Sequence, residues 1–384
     1  MKYTIFPSDA VIDFSKKLKV KFGIDPTSDK LHLGHLIPLL FVKRLWNEGH
    51  HIDIVLGNFT AQLGDPSGKD TMRPILTPEE TEKNAESITE QIARIFGNPD
   101  ASHPNFKNII IHKNGDWFGC MSAIMMTNLL SKFTTTQLLS RDSFQKRIKE
   151  NNPIGMHELV VPVLQGFDSS FLCSDVEIGG SDQLFNFGIS RDVQRIKGQE
   201  PEKCILMPII NGIDGRKMSK SFGNCIFIND TPKDVFGKTM SISDDMMKEW
   251  WPILSDSEFP DEFHPMELKK DLAWLVTKEI WGEDAARHEF EQFEMVIQQK
   301  FLPEDIQEIV LPKLENGAAE MNVIEVVSKI RGCSRNEARR LIEAGAVKMI
   351  GDDGEVKGQF IDNTVNIMPG LIIKIGKRDF AKLI

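Results

Sequence analysis

The chain is nearly devoid of tyrosine: Tyr3 stands alone against 24 phenylalanines in 384 residues. Its five cysteines, Cys120, Cys173, Cys204, Cys225 and Cys333, are scattered without metal-ligand or redox spacing, so reduced thiols are the simplest account. No apolar run approaches the length of a membrane span, and the charged start Met1-Lys2-Tyr3 does not lead into a secretory apolar stretch. A cytoplasmic protein without membrane contact is expected. Positive charge is in deficit, 46 Lys+Arg against 56 Asp+Glu, and a net charge of -10 argues against indiscriminate coating of nucleic acid. There is no internal repeat and no low-complexity tract.

A chain of 384 residues is too long for one ordinary core, which predicts two or three domains, and 41% apolar with 27% charged residues is a soluble globular composition. The charge is unevenly spread. Residues 323–384 carry 11 Lys+Arg against 8 Asp+Glu, while the remainder carries 35 against 48. A basic tail on an acidic body suggests that contact with a polyanion is delegated to the C-terminal module.

The first two-thirds alternate strand-like and helical stretches. Residues 18–24 and 53–56 read as buried strands and 108–112 as a third, with an apolar helix over about 36–45 between the first two. Thr77-Pro78-Glu79-Glu80 is a capping box with proline at the first helical position, and Gly97-Asn98-Pro99 ends that helix. Such alternation implies a parallel sheet with ligands beyond the carboxyl ends of its strands. After residue 217 the pattern turns helical, with Thr231-Pro232 as one start. Residues 301–321, mixing Pro303, Pro312 and Gly317 with charges, read as a connector. In the tail, Ser334-Arg335-Asn336-Glu337 caps a helix that ends at Gly345, and strand-like runs follow at 347–350 and 371–375.

Two short motifs carry the chemistry. His32-Leu33-Gly34-His35 lies at a helix start, where free backbone N–H groups and the helix dipole attract anions. Gly34 lets a nucleotide approach the backbone, His32 and His35 can donate to phosphate oxygens, and Thr27 in the preceding turn is placed to help. Lys217-Met218-Ser219-Lys220-Ser221 sits among glycines and hydroxyl residues, in a loop suited to bring two ammonium groups onto the β- and γ-phosphates of ATP. Either motif alone fits an ordinary helix start or a solvated charged loop. Together they supply donors on two sides of one nucleotide, which is what adenylation of a carboxylic acid requires. The acid is itself the nucleophile, so rate comes from positioning and charge stabilisation.

These motifs resemble those of class I aminoacyl-tRNA synthetases. Phe22-Gly23-Ile24-Asp25-Pro26-Thr27, Gly64-Asp65-Pro66-Ser67-Gly68, Gln165-Gly166-Phe167-Asp168 and Ile178-Gly179-Gly180-Ser181-Asp182-Gln183 narrow the resemblance to the tyrosyl-tRNA synthetases, in that family's order and spacing. The tail resembles the small RNA-binding module that bacterial members carry. The resemblance covers the chain from about residue 16 onward. It implies an α/β fold: a Rossmann-like parallel-sheet catalytic domain at 16–228, an α-helical anticodon-side domain at 229–310 and a small α+β RNA-binding module at 323–384. It also implies that Asp182 holds the adenosine ribose with Gly180 close by, and that Asp25, Gly34, Met218, Ser219 and Ser221 line the nucleotide. Gln183 faces the carboxyl end of the amino acid, Asp65 and Gln165 hold its ammonium group, and Asp168 accepts a hydrogen bond from its phenol. That last bond rejects phenylalanine, whose ring would leave a buried polar group unpaired. His32, His35, Lys217, Lys220 and Thr27 are the implied catalytic set. Partners implied are tRNA, tyrosine and ATP with Mg2+ as substrates, and a second copy in a homodimer; no tightly bound cofactor and no protein-held metal are expected. Arg335, Arg339 and Arg340 on the tail helix are candidates for RNA contact.

Two positions depart from the pattern. Val161 stands where the family usually has a tyrosine that binds the ammonium group, and loss of one charge-assisted hydrogen bond costs about 1.5–3 kcal/mol. Lys21 stands where one large branch has a tyrosine that touches the phenol, and Phe22 replaces a smaller residue near the ribose in some members. Both leave open a paralogue that activates another amino acid or serves biosynthesis. A dinucleotide-forming nucleotidyltransferase shares the His-x-Gly-His element, but the Lys217 motif and the tail speak against it. A catalytically idle RNA-binding protein would have had little reason to retain both motifs. The shortage of tyrosine fits a sequence that has shed the residue its product delivers; drift under codon bias fits as well. Synthesis of this protein during tyrosine limitation separates the two, since repression equal to that of tyrosine-rich proteins ends the first idea.

Overall fold

The computed structural model describes residues 2–63, 76–97, 108–218, 222–295, 306–312, 321–351, 356–362, 366–367, 369–376 and 379–384. The chain forms two compact units, Met1–Ala286 and Arg287–Ile384.

The first unit opens with β1 (Thr4–Phe6), β2 (Lys19–Ile24), α1 (Leu33–Asn47), β3 (His51–Leu56), α2 (Thr60–Leu63), α3 (Pro78–Ile95) and β4 (Ile109–Lys113). Short helices follow, α4 (Gly115–Phe118), α5 (Ala123–Leu130), α6 (Thr135–Leu139) and α7 (Asp142–Lys149), and then the long α8 (Met156–Leu172). The sheet is completed by β5 (Val176–Gly180), α9 (Leu184–Ile196) and β6 (Lys203–Met207). Its strand order is β1-β6-β5-β2-β3-β4, parallel throughout except for β1 at the edge. One face of β2 and β3 is apolar and buried, with Val20, Phe22, Ile52 and Ile54, while the other carries Lys21 and Asp53, which are buried as well, as in a parallel sheet covered on both faces.

Local signals explain the helix ends. Thr77 accepts from Glu80 N and Glu80 returns a bond to Thr77 N, so the capping box starts α3 as expected, and Gly97 at φ +76° ends it. Close packing of α8 on α9 depends on Gly166, where a Cβ would lie 2.8 Å from Val193 Cγ2 and 2.9 Å from Ser190 Cα.

Four helices follow, α10 (Pro232–Met240), α11 (Asp244–Leu254), α12 (Pro265–Trp281) and α13 (Glu283–Phe293), with Thr231 capping α10. Trp250, Leu272 and Val276 join the same buried cluster as β2 and α1. The helices after residue 228 thus share a core with the sheet.

The second unit contains β7 (Gln307–Ile309), β8 (Met321–Asn322), α14 (Val323–Arg331), α15 (Arg335–Glu343), β9 (Val347–Ile350), β10 (Val356–Gln359), β11 (Asn366–Ile367), β12 (Ile372–Ile375) and β13 (Asp379–Leu383). Strands β10-β9-β12-β13-β7 form one sheet, and its Ile373 and Leu383 share a buried cluster with Val326, Val327, Ala338 and Ile342 of α14 and α15. One expectation fails here. Part of the segment read as a connector is β7, which pairs in parallel with β13. Its buried Ile309 and Leu311 alternate with exposed Val310, a period of two too short to stand out among prolines and charges. Asp352-Asp353-Gly354 lies outside the described residues.

Candidate active site

From β2 the chain moves outward to β3 and β4, then returns to the opposite side through β5 and β6, so the sheet switches direction between β2 and β5. The crevice beyond those two carboxyl ends is the expected ligand position in an open α/β sheet. Just after β2, Asp25 Oδ1 accepts from Thr60 Oγ1 at 2.8 Å, and Thr27 N donates to Asp25 O at 2.7 Å. A Cβ at Gly57 would stand 2.0 Å from Asp25 Oδ1, so only glycine permits this turn. A Cβ at Gly23 would meet nothing within 4 Å, which leaves space open beside the central strand.

His32 caps α1. Its Nδ1 accepts from Gly34 N at 3.2 Å, and His35 Nδ1 accepts from His32 N at 3.2 Å. A neutral imidazole that accepts at Nδ1 carries its proton on Nε2. Both rings, 4.0 Å apart by centroid, are thereby set as Nε2 donors. Gly34 serves the rings as much as any ligand, because a Cβ there would lie 3.0 Å from His32 Cε1.

The second motif is tied to the first by main chain. Leu33 N donates to Ile226 O and Ile228 N donates to Leu31 O, each at 2.9 Å, and His32 forms a bridge with Phe227. The hairpin that carries Lys217 is closed by a bridge between Asn211 and Lys217 and by Gly212 N donating to Arg216 O at 2.7 Å. Inside it, Asn224 Nδ2 donates to Asp214 Oδ1 at 2.7 Å and to Lys217 O at 3.2 Å. The Asn224 bond, with Arg216 adding to it, holds the Asp214 carboxyl down at about 2. Lys217 is exposed. Met218, expected beside the nucleotide, is buried in the core with Met246 and anchors the hairpin. Ser219, Lys220, Ser221 and Asp65 lie outside the described residues.

At the end of β5, Gly180 leads into a single 3-10 turn, Ser181–Gln183. Asp182 is exposed there, and its Oδ1 lies 2.7 Å from where a Gly180 Cβ would be, so glycine makes room for the carboxylate. Gln183 Oε1 accepts from Asn186 Nδ2 at 2.8 Å.

Asp168, on α8, is buried. Trp117 Nε1 donates to its Oδ1 at 2.8 Å and Asn114 Nδ2 to its Oδ2 at 3.3 Å. Burial raises its pKa to about 7 against the pull of Lys21, Trp117 and Asn114. Lys21 was expected at the substrate phenol, but the structure occupies its ammonium differently. Nζ donates to Glu177 Oε1 at 2.7 Å, Ser169 Oγ at 2.8 Å and Gln165 O at 3.0 Å, and these three bonds use its three donors. Burial opposes the Lys21 charge, but Glu177, Glu202 and Asp168 outweigh it, so its pKa is raised. Burial, with Glu177 adding to it, pushes the pKa of Glu202 well up. Val161 is fully buried within α8, and Gln165 is half-buried one turn before Asp168.

Sequence reasoning missed Trp117, Asn114, Thr60 and Glu177. Each acts through a partner more than 30 positions away, and no local spacing signals such a pairing.

The model of the family "tRNA synthetases class I (W and Y)" matches residues 14–298. The tyrosine–tRNA ligase of Aquifex aeolicus is 36% identical over 377 residues, covering 96% of this chain and 92% of its own. That of Chlorobaculum tepidum is 38% identical over 377 residues, covering 95% and 89%. Among solved structures, a C-terminally truncated mitochondrial tyrosyl-tRNA synthetase from Aspergillus nidulans superposes with a TM-score of 0.60 at 17% identity, over 73% of this chain and 86% of that one. The tyrosyl-tRNA synthetase of Archaeoglobus fulgidus complexed with L-tyrosine gives 0.54 at 19%, over 71% and 90%. At those identities the solved structures speak for the fold alone.

Proposed function

Because the chain belongs to the class I tRNA synthetases of the tryptophan and tyrosine group, we propose that it activates tyrosine with ATP and transfers it to tRNA. The observation that carries this reading is the main-chain pairing of the Lys217 hairpin's return segment with the turn at His32. In the first step the tyrosine carboxylate oxygen attacks the α-phosphorus of ATP and pyrophosphate leaves with the electron pair of the broken P–O bond. In the second, a ribose hydroxyl at the tRNA end attacks the acyl carbon and AMP leaves. Nε2 donors of His32 and His35 and the ammonium of Lys217 stabilise charge on the departing phosphates. Lys220, Thr27, Ser219 and Ser221 complete that set, Asp25 and Asp182 hold the nucleoside end beside Gly34 and Gly180, and Mg2+ accompanies ATP as substrate.

Asp168 accepts from the phenol, while Asp65, Gln165 and Gln183 hold the amino and carboxyl ends. Lys21 acts beneath this pocket, and Val161 contributes only shape. Within the chain, 16–228 is the catalytic domain, 229–310 the anticodon-side domain and 323–384 the RNA-binding module, where exposed Arg335, Arg339 and Arg340 meet RNA. The protein works as a homodimer in the cytoplasm. Support for the dimer comes from helices α5 and α8, which leave Ile124, Met125, Met156 and Phe171 exposed, and from a surface cavity of about 510 Å³ between Trp117, Met121, Met125, Phe167 and Phe171. Among the described residues, no helix is long and apolar enough to cross a membrane.

Amino-acid-dependent exchange of pyrophosphate into ATP tests the proposal. Tyrosine alone among the twenty amino acids should support it. Exchange with another amino acid and none with tyrosine would instead identify the paralogue.

A further inference from the structure

Helix α11 meets the Lys217 hairpin at two points on one face. Met246 shares the buried cluster with Met218, and its sulfur lies 3.7 Å from where a Gly215 Cβ would stand. One turn on, half-buried Glu249 reaches the base of the hairpin. Its Oε1 accepts from Asn211 N at 3.3 Å and from Asn211 Nδ2 at 3.3 Å, and Oε2 lies 3.4 Å from the same Nδ2. Residues three apart on a helix lie over one another, so α11 offers an apolar contact and a charged one to a single target. Asn211 is the bridge partner of Lys217. A carboxylate that holds both the main chain and the side chain of Asn211 therefore fixes the strand position from which Lys217 projects. Bonds to an ionised acceptor are stronger and more directional than neutral ones, which suits this task.

We propose that Glu249 is a positioning residue for adenylation: it acts through Asn211 to hold the Lys217 ammonium where the triphosphate lies. The proposal rests on the functional reading above, in which Lys217 meets phosphate. Glu249 touches no substrate. Its loss displaces a group that must stabilise the transition state to within a fraction of an ångström, so the chemical step suffers while tyrosine binding does not.

The test is tyrosine-dependent pyrophosphate exchange on the full chain, with Glu249→Ala, Glu249→Gln, Asn211→Ala and Lys217→Ala. Glu249→Ala should lower kcat about tenfold and leave KM for tyrosine within about twofold. Glu249→Gln, which keeps one oxygen acceptor for Asn211, should recover most of that loss. Asn211→Ala in the Glu249→Ala background should add almost nothing, because both act along one path. Wild-type kcat in Glu249→Ala, a loss that Glu249→Gln does not relieve, or a parallel rise in KM for tyrosine would overturn the proposal. Thermal melting of each variant identifies a general loss of fold; a melting point depressed equally by the Ala and Gln variants, with activity falling in step, assigns Glu249 to stability and overturns it as well. Lys217→Ala separates the two layers. If it keeps full exchange activity, the phosphate role of the hairpin is wrong; if it loses activity while Glu249→Ala does not, only the positioning role is.

Discussion

The two sides of the crevice are built on opposite plans. On the side proposed for the amino acid, Asp168 and Lys21 are buried and occupied: Asp168 by Trp117 and Asn114, Lys21 by Glu177, Ser169 and the Gln165 carbonyl. On the nucleotide side the groups are exposed or half-exposed, as Lys217 and Asp182 are, and they are placed by main chain: a helix start, a 3-10 turn and a hairpin. The difference follows from what each side must do. A phenol is told from a phenyl ring by a single hydroxyl, and only a desolvated, pre-aimed acceptor makes the absence of that hydroxyl costly. A triphosphate carries enough charge to be held by exposed donors, and its selectivity demand is small.

The comparison predicts a separation of kinetic effects. The largest should come from the nucleotide side. Lys217→Ala or His35→Ala should lower kcat for pyrophosphate exchange by about 10²–10³-fold, the range for removing one preorganised donor, with little change in KM for tyrosine. A rise confined to KM for tyrosine would break the division. On the other side, Asp168→Ala should lower the preference for tyrosine over phenylalanine, measured as the ratio of kcat/KM values, by about 10²-fold or more.

A pH effect sharpens this second case. The pKa of Asp168 is about 7 in the folded chain and near the ordinary carboxylate value unfolded, so the proton favours the folded state. Its penalty on stability is absent below about pH 4, grows between about pH 4 and 7 and is constant above. Urea denaturation of the unliganded protein should show that decline, and Asp168→Asn should flatten it. The carboxylate is also the better acceptor, so KM for tyrosine should rise as pH falls below about 7.

Smaller effects remain. Trp117→Phe removes one donor to Asp168 while keeping an aromatic ring, and should raise KM for tyrosine about tenfold with kcat nearly unchanged. Neutralising Arg335 and Arg339 together should weaken tRNA charging several-fold and lessen its salt dependence, while exchange is untouched. If exchange fell too, the helix would be structural, a possibility sharpened by the ion pair between Arg335 and Glu325.

Legibility in the sequence divides along the same line. The helix starts could be read because they rest on short local motifs: His32, Gly34 and His35 fall within the first turn of α1, and the Thr77 capping box and Gly97 set the ends of α3 as expected. The amino-acid side was legible only in part. Asp168 was found by resemblance, yet its partners lie on α4 and just before it, about fifty positions away. Lys21 too was placed by resemblance alone. Its partner Glu177, on the neighbouring strand, lies far along the chain, and no local pattern announces the pair. The strand β7 was lost among prolines, and that helices α10 to α12 share buried residues with the sheet leaves no mark on periodicity.

The central claim is that the groups of the two motifs surround one triphosphate. A crystal structure of the protein with tyrosine and a non-hydrolysable ATP analogue tests it directly. Phosphate oxygens of a single nucleotide should lie within hydrogen-bonding distance of both imidazole Nε2 atoms, His32 and His35, and of Lys217 Nζ. A nucleotide bound elsewhere, or Lys217 directed away from the phosphates that the histidines hold, would contradict it.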